Sequence, residues 1–121
     1  WFFVNENART VNVEAEDADE DSLLNFYRAL IAFRKGEPII RYGSYTEHIP
    51  QSANFYVYSR EFEERRLLVI ASLVDKETYF TCPEGFNLVD GELIFKNYDL
   101  NVVVNNAFTA RPYELRVYLF E

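Results

Sequence analysis

From Leu23 to Phe33 the apolar residues fall along one side of a helix, and beyond Pro38 that period never returns. Leu23, Phe26, Tyr27, Leu30 and Ile31 occupy the i, i+3, i+4, i+7 and i+8 positions of a single stripe. Leu24 and Phe33 flank it and widen it to about half the circumference, at roughly 100° per residue. A stripe that wide suits two neighbours better than one. Arg28, Arg34 and Lys35 make up much of the polar side and bring cations toward the C-terminal end, where the helix dipole favours them. Gly36 is placed to end the helix, and Glu37-Pro38 to prevent its continuation. Just upstream, Glu14 to Asp21 holds six carboxylates interrupted only by Ala15 and Ala18. The helix is expected to begin here, capped by Asp19 or Ser22, with Glu20 and Asp21 in its first turn. Trp1 to Val13 reads as an irregular connection with a short extended piece at Thr10 to Val13.

After Pro38 the pattern becomes one of short strands separated by turn signals. Arg41 to His48 alternates loosely around Tyr42 and Tyr45. Asn54 to Arg60 alternates cleanly, Phe55 and Val57 on one face and Tyr56 and Tyr58 on the other. The charged tip Glu61-Phe62-Glu63-Glu64 leads into Arg66 to Leu73, where Leu67-Leu68-Val69-Ile70-Ala71 predicts a strand buried on both faces. Lys76 to Cys82 is strand-like and stops at Pro83-Glu84-Gly85. Phe86 to Val89 and Glu92 to Phe95 flank Asp90-Gly91, a two-residue hairpin signal. Leu100 to Val104 is β-branched, Asn105-Asn106 breaks it, and Tyr113 to Phe120 closes the chain as a strand. The expected fold is therefore mainly β: one amphipathic α-helix followed by about eight strands at the spacing of an antiparallel sandwich or barrel. The boundary between helix and sheet is expected near Pro38 to Gly43.

Composition narrows what such a fold can do. The 121 residues are 49% hydrophobic and 17% aromatic, enough for one sizeable core. A net charge of −8 argues against nucleic acid as a partner, because a binder needs a basic face. No apolar run approaches the length of a membrane span, so no membrane association is expected. The single cysteine, Cys82, fits a reducing compartment, and a cytoplasmic location is expected. With no methionine and an opening on Trp1-Phe2-Phe3, the chain reads as a domain excised from something longer.

Residues able to do chemistry are few. Asp17-x-Asp19-x-Asp21 imitates the opening of an EF-hand loop, but Ser22 stands where glycine is needed and Arg28 where the bidentate acid is needed. The acidic run reads instead as a solvated helix N-terminus, and no metal is expected. No pair of acids stands out for glycosidase work, Glu92 and Glu114 being scattered on strands or turns. His48 is the only histidine, so any histidine–serine or histidine–cysteine relay would rest on it; it is expected at a sheet rim. Cys82 is expected to pack. The four glycines are isolated, and no phosphate-cradling loop exists. Tyr42, Tyr45, Tyr56, Tyr58, Tyr79, Tyr98, Tyr113 and Tyr118 offer candidate sugar platforms, although tyrosine is also ordinary strand material.

Taken in order, the segments resemble a known family. Asn12-Val13-Glu14-Ala15-Glu16 followed by Asp19 to Lys35, with Ser22-Leu23-Leu24-Asn25-Phe26-Tyr27-Arg28 inside it, is similar to the α-glucosidases of glycoside hydrolase family 13. The opening Trp1 to Asn7 resembles that family's W-x-x-V-N-P-N loop, with Glu6 in place of proline. Glu37-Pro38, Tyr42-Gly43-Ser44-Tyr45, Phe55 to Arg60, Leu67 to Leu73 and Arg111 to Tyr118 match later landmarks in sequence order. The resemblance covers nearly the whole chain and is nearest the branch holding oligo-1,6-glucosidase, dextran glucosidase and trehalose-6-phosphate hydrolase.

The resemblance implies that 1–38 ends a catalytic (β/α)8 barrel with its last helix, and that 39–121 is the C-terminal domain, an antiparallel β-sandwich of Greek-key type with about eight strands. It also implies a parent that hydrolyses terminal α-glucosidic bonds of short oligosaccharides by way of an aspartate and a glutamate. The motifs carrying both lie upstream, so no catalytic or substrate-binding residue, metal or cofactor is assigned to this chain. The expected role is to stabilise the barrel, and the expected partners are that barrel and, through the bared helix face, a second copy. An independent carbohydrate-binding module is the alternative.

Overall fold

The computed structural model describes residues 3–99 and 102–121. Its chain divides into two compact units, Trp1–Pro38 and Ile39–Glu121.

The first unit is helical. A 3₁₀ turn at Glu6–Arg9 is capped by Asn5, and α1 spans Val13–Ala18 behind Asn12, whose side chain accepts from the Ala15 N–H. Thr10 to Val13 thus turns into a helix start rather than an extended piece. Helix α2 spans Leu23–Gly36 with Ser22 as its N-cap. The acidic run is divided between the two helices: Glu14 to Ala18 turns helical by itself, and Asp19 to Asp21 links it to α2. One amide secures the junction, since Asn25 Nδ2 donates to the carbonyls of Glu16, Asp17 and Asp19 at 3.1, 3.3 and 2.8 Å. It thereby satisfies acceptors that the end of α1 leaves open.

Gly36 is the last helical residue, and Glu37 turns extended, as a residue before proline must. Pro38 then opens a further short helix, α3, at Pro38–Tyr42. Proline is acceptable there because the first helical N–H has no partner to lose. The strand expected from Arg41 therefore shrinks to β1, Thr46–His48.

The second unit carries seven strands among the described residues. After β1 come β2 (Phe55–Phe62), β3 (Arg65–Ser72), β4 (Thr78–Thr81), β5 (Glu92–Lys96), β6 (Ala107–Ala110) and β7 (Leu115–Phe120). All pairings are antiparallel: a five-stranded sheet ordered β1-β2-β3-β7-β5 and a two-stranded sheet of β4 and β6. The core draws on both sheets, with Phe55, Val57, Leu68 and Ile70 from one and Phe80, Phe108 and Ala110 from the other. Phe55, Phe80 and Phe108 form a continuous aromatic contact, with ring centroids 5.0 and 5.2 Å apart. This is the sandwich-like, mainly β architecture expected from the pattern. Strand β3 is buried on both faces, as its unbroken apolar run predicts.

The Asp90-Gly91 hairpin does not form. Phe86 to Val89 is no strand, because Asn106 takes its backbone groups: Asn106 Nδ2 donates to the Phe86 carbonyl at 2.7 Å and Oδ1 accepts from Leu88 N–H at 2.8 Å. The two-residue turn lies instead at Asn105-Asn106, both with positive φ (52° and 59°), closing a bridge between Val104 and Ala107. The N-terminal end of the expected strand Leu100 to Val104 lies outside the described residues, as do Trp1 and Phe2 of the opening motif.

Candidate functional site

Of the sequence candidates, Tyr45, Tyr56 and Tyr58 come together as an aromatic cluster in the second unit. Alternation along β2 puts Tyr56 and Tyr58 on the face opposite Phe55 and Val57. Tyr45 precedes edge strand β1, whose register sets Glu47 opposite Tyr58. The Tyr45 and Tyr56 hydroxyls hydrogen-bond at 2.9 Å. Rings 45 and 58 lie 5.5 Å apart and rings 56 and 58 lie 5.4 Å apart, all tilted. Tyr45 is 50% exposed and Tyr56 39%. The hydrogen bond from Tyr56 is the largest of several influences that push the Tyr45 phenol up to about 12. Burial raises that of Tyr58. The Tyr45 and Tyr58 hydroxyls therefore stay protonated at neutral pH, able both to donate and to accept. Of the other candidates, Tyr118 is buried in the core, while Tyr42, Tyr79, Tyr98 and Tyr113 are exposed apart from this cluster.

His48 does meet a serine, Ser59, eleven residues away on the neighbouring strand β2. Its Nε2 lies 2.8 Å from Ser59 Oγ, and its ring stands edge-on to Phe86. Ser59 is only 2% exposed, on the core face of β2, so no substrate carbonyl reaches its hydroxyl. The pair satisfies two polar groups at the sheet's edge. The clue was present in parity: Ser59 shares the alternation of Phe55 and Val57.

Cys82 is buried, and burial pushes its thiol up to about 11, against a smaller opposing pull from a hydrogen bond to Asn106. Such a thiol is almost wholly protonated at neutral pH and makes a poor nucleophile. Asp17 pairs with Arg28, and the Asp19 side chain accepts from Asp21 N–H at 3.0 Å. Among the described residues no group of three or more histidines, cysteines or acids is gathered to hold a metal. No helix of the described residues is long and apolar enough to cross a membrane.

Sequence reasoning missed one constellation altogether. Glu114 and Arg116, 3% and 1% exposed, form a buried ion pair in which Oε1 accepts from Arg116 Nε and Nη2, each at 2.7 Å. The guanidinium lies over the Phe108 ring, 3.5 Å from its centroid, and Glu114 Oε2 accepts from Arg111 N–H at 2.8 Å. Two residues before Tyr118 and four before Phe120, Arg116 has their core-facing parity. Glu92 lies apart from this pair, exposed on β5.

A family model for the alpha amylase catalytic domain matches residues 1–43. The chain is 34% identical over 118 residues to an oligo-1,6-glucosidase of Bacillus cereus, which is 98% of this chain and 21% of that protein. It is 33% identical over 114 residues to a trehalose-6-phosphate hydrolase of Escherichia coli, covering 94% of this chain and 20% of that one. The fold superposes on a trehalose-6-phosphate hydrolase of Bacillus licheniformis with a TM-score of 0.88 at 30% identity, over 100% of this chain and 22% of that structure. The chain thus spans about a fifth of the length of the curated relatives it matches.

Proposed function

We propose, for a chain homologous to part of the glycoside hydrolase family 13 α-glucosidases, that it is their non-catalytic C-terminal portion, acting to stabilise a catalytic barrel supplied by the rest of the protein. On this reading 1–38 closes the barrel with α2, 39–121 is the C-terminal domain, and the whole enzyme works in the cytoplasm. The parent hydrolyses terminal α-glucosidic bonds of short oligosaccharides. The observation that carries the reading is the uncovered side of α2. Leu23, Tyr27 and Ile31, one turn apart, are 67%, 58% and 49% exposed, a contiguous apolar surface of the sort that marks an interface. The family match to residues 1–43 and the fivefold greater length of the relatives supply something to cover it.

Two assays test this. The purified chain is expected to release no chromophore from an aryl α-glucoside, and turnover would overturn the reading. In addition, the matching fifth of the Bacillus cereus oligo-1,6-glucosidase is exchanged for this chain. The chimera is expected to keep α-glucosidase activity that deletion of the segment abolishes.

A second reading, an independent sugar-binding module, is favoured by exposed Tyr45 and Tyr56 with half-buried Tyr58 beside them. Saturable binding of maltose that is lost in Tyr56→Ala would establish it.

A further inference from the structure

The turn that stands where a hairpin was expected shapes one wall of a cleft. Arg66 on β3, Phe120 and Glu121, and Phe86, Asn87 and Asp90 on the turn line an open cleft of about 450 Å³. That lies within the range of small-molecule sites. We propose that this cleft binds a neutral sugar, holding one pyranose ring by its hydroxyls.

Three properties point to that ligand. The first is rigidity. Asn106 fixes the backbone of the turn at Phe86 and Leu88, Asp90 N–H donates to the Asn87 carbonyl at 3.0 Å, and Asn87 Nδ2 donates to Asp90 Oδ2 at 2.8 Å. Arg66 is held as firmly, stacked over the Phe86 and Phe120 rings (4.8 and 5.7 Å to the centroids) while Nη1 donates to the Gly85 carbonyl at 2.8 Å. Polar groups fixed before the ligand arrives lose little freedom on binding it.

The second is chemistry. A guanidinium offers only donors, carboxylates offer only acceptors, and the Asn87 amide offers both. Vicinal hydroxyls, each able to donate and to accept, match that mixture. The third is charge. Asp90 and Glu121 outnumber Arg66, so a phosphate or carboxylate ligand is repelled where a neutral one is not. The choice of a glucoside as probe rests on the reading of the parent as an α-glucosidase. The occupation of the cleft does not depend on catalysis.

The test is a titration of the isotope-labelled 121-residue chain with isomaltose, followed by NMR. Amide and side-chain signals of Asn87, Asp90 and Arg66 are expected to move and saturate in the millimolar range, as befits a small ligand in an open cleft. Asp90→Asn, which keeps the shape and the turn, is expected to weaken binding roughly fivefold through loss of a charged acceptor. Asp90→Ala is expected to weaken it further. Tyr56→Ala is expected to leave it unchanged. No saturable movement, movement confined to Tyr45, Tyr56 and Tyr58, or a tighter response to glucose 6-phosphate would each overturn the proposal. The chimera assay reads the role of the whole segment and is indifferent to this outcome, so the two failures are distinguishable.

Discussion

Arg116 shows how much of the stability of a small β unit can rest on one charged side chain. Its charge is matched by Glu114 and its face by Phe108, so nothing in the arrangement is left uncompensated. Truncating one member strands the other in a low-dielectric setting. Arg116→Met is expected to cost about 3–5 kcal/mol, measured by urea denaturation. Glu114→Gln added to that variant is expected to restore part of the loss, because it removes the orphaned charge; no recovery would contradict the account. Cys82 gives a second prediction with a defined direction. Below its ordinary value of 9.0 both the folded and the unfolded chain hold the proton. Between there and about 11 the unfolded chain has released it while the folded chain keeps it. Stability therefore falls as pH rises through that window. The urea midpoint of the parent chain is expected to drop more steeply there than that of Cys82→Ala. The raised Tyr45 phenol steepens both curves alike, so it is the difference between them that tests the thiol. Ser59 and Arg116 were both legible in principle by their parity along β2 and β7. They were missed because a polar residue inside an alternating pattern reads first as solvent-facing.

Elements with a strong period and a cap were the legible ones. Helix α2 and the β2–β3 hairpin follow the pattern of their residues, since periodicity reports burial directly. Turn chemistry was less informative, because local preference yields to whatever side chain competes for the backbone. Asn106 overrides the Asp90-Gly91 signal and itself forms the turn that the sequence reading treated as a break. Two glycines make the same contrast testable. A Cβ on Gly43 would stand 2.4 Å from the Ile39 carbonyl oxygen and 3.2 Å from that of Glu61, both backbone. At Gly36 there is nothing within 4 Å. Gly43→Ala is accordingly expected to destabilise by about 1–3 kcal/mol, since the obstructing atoms belong to α3 and β2 themselves. Gly36→Ala is expected to stabilise by about 0.5–1 kcal/mol by stiffening the unfolded chain at a helical position. Equal urea midpoints for the two variants would show that close approach at Gly43 does not constrain the fold.

At the scale of the whole molecule, the sequence carries a surplus that its own described residues do not absorb. The stripe on α2 was legible as too wide for one neighbour, and the structure leaves Leu23, Tyr27 and Ile31 open. What covers them was not legible from periodicity, which reports that a face is apolar and not what it meets. Leaving each such side chain in water forgoes about 1.5–3 kcal/mol, a large sum beside the marginal stability of a domain this size. A chain in that condition lowers its free energy by pairing the stripe with any apolar partner in reach, and in a pure solution that partner is another copy. Sedimentation equilibrium is therefore expected to show association that grows with concentration. Leu23→Lys with Ile31→Lys is expected to return the chain to a monomer and, at dilutions where the wild-type chain is itself monomeric, to leave its urea midpoint unchanged, because those positions are not buried within the chain. The same substitutions made in the glucosidase chimera are expected to destabilise it, since there the stripe would meet the barrel. A wild-type chain that stays monomeric at every concentration would remove the reason to suppose that α2 awaits a partner. A chimera indifferent to both lysines would remove the barrel as that partner.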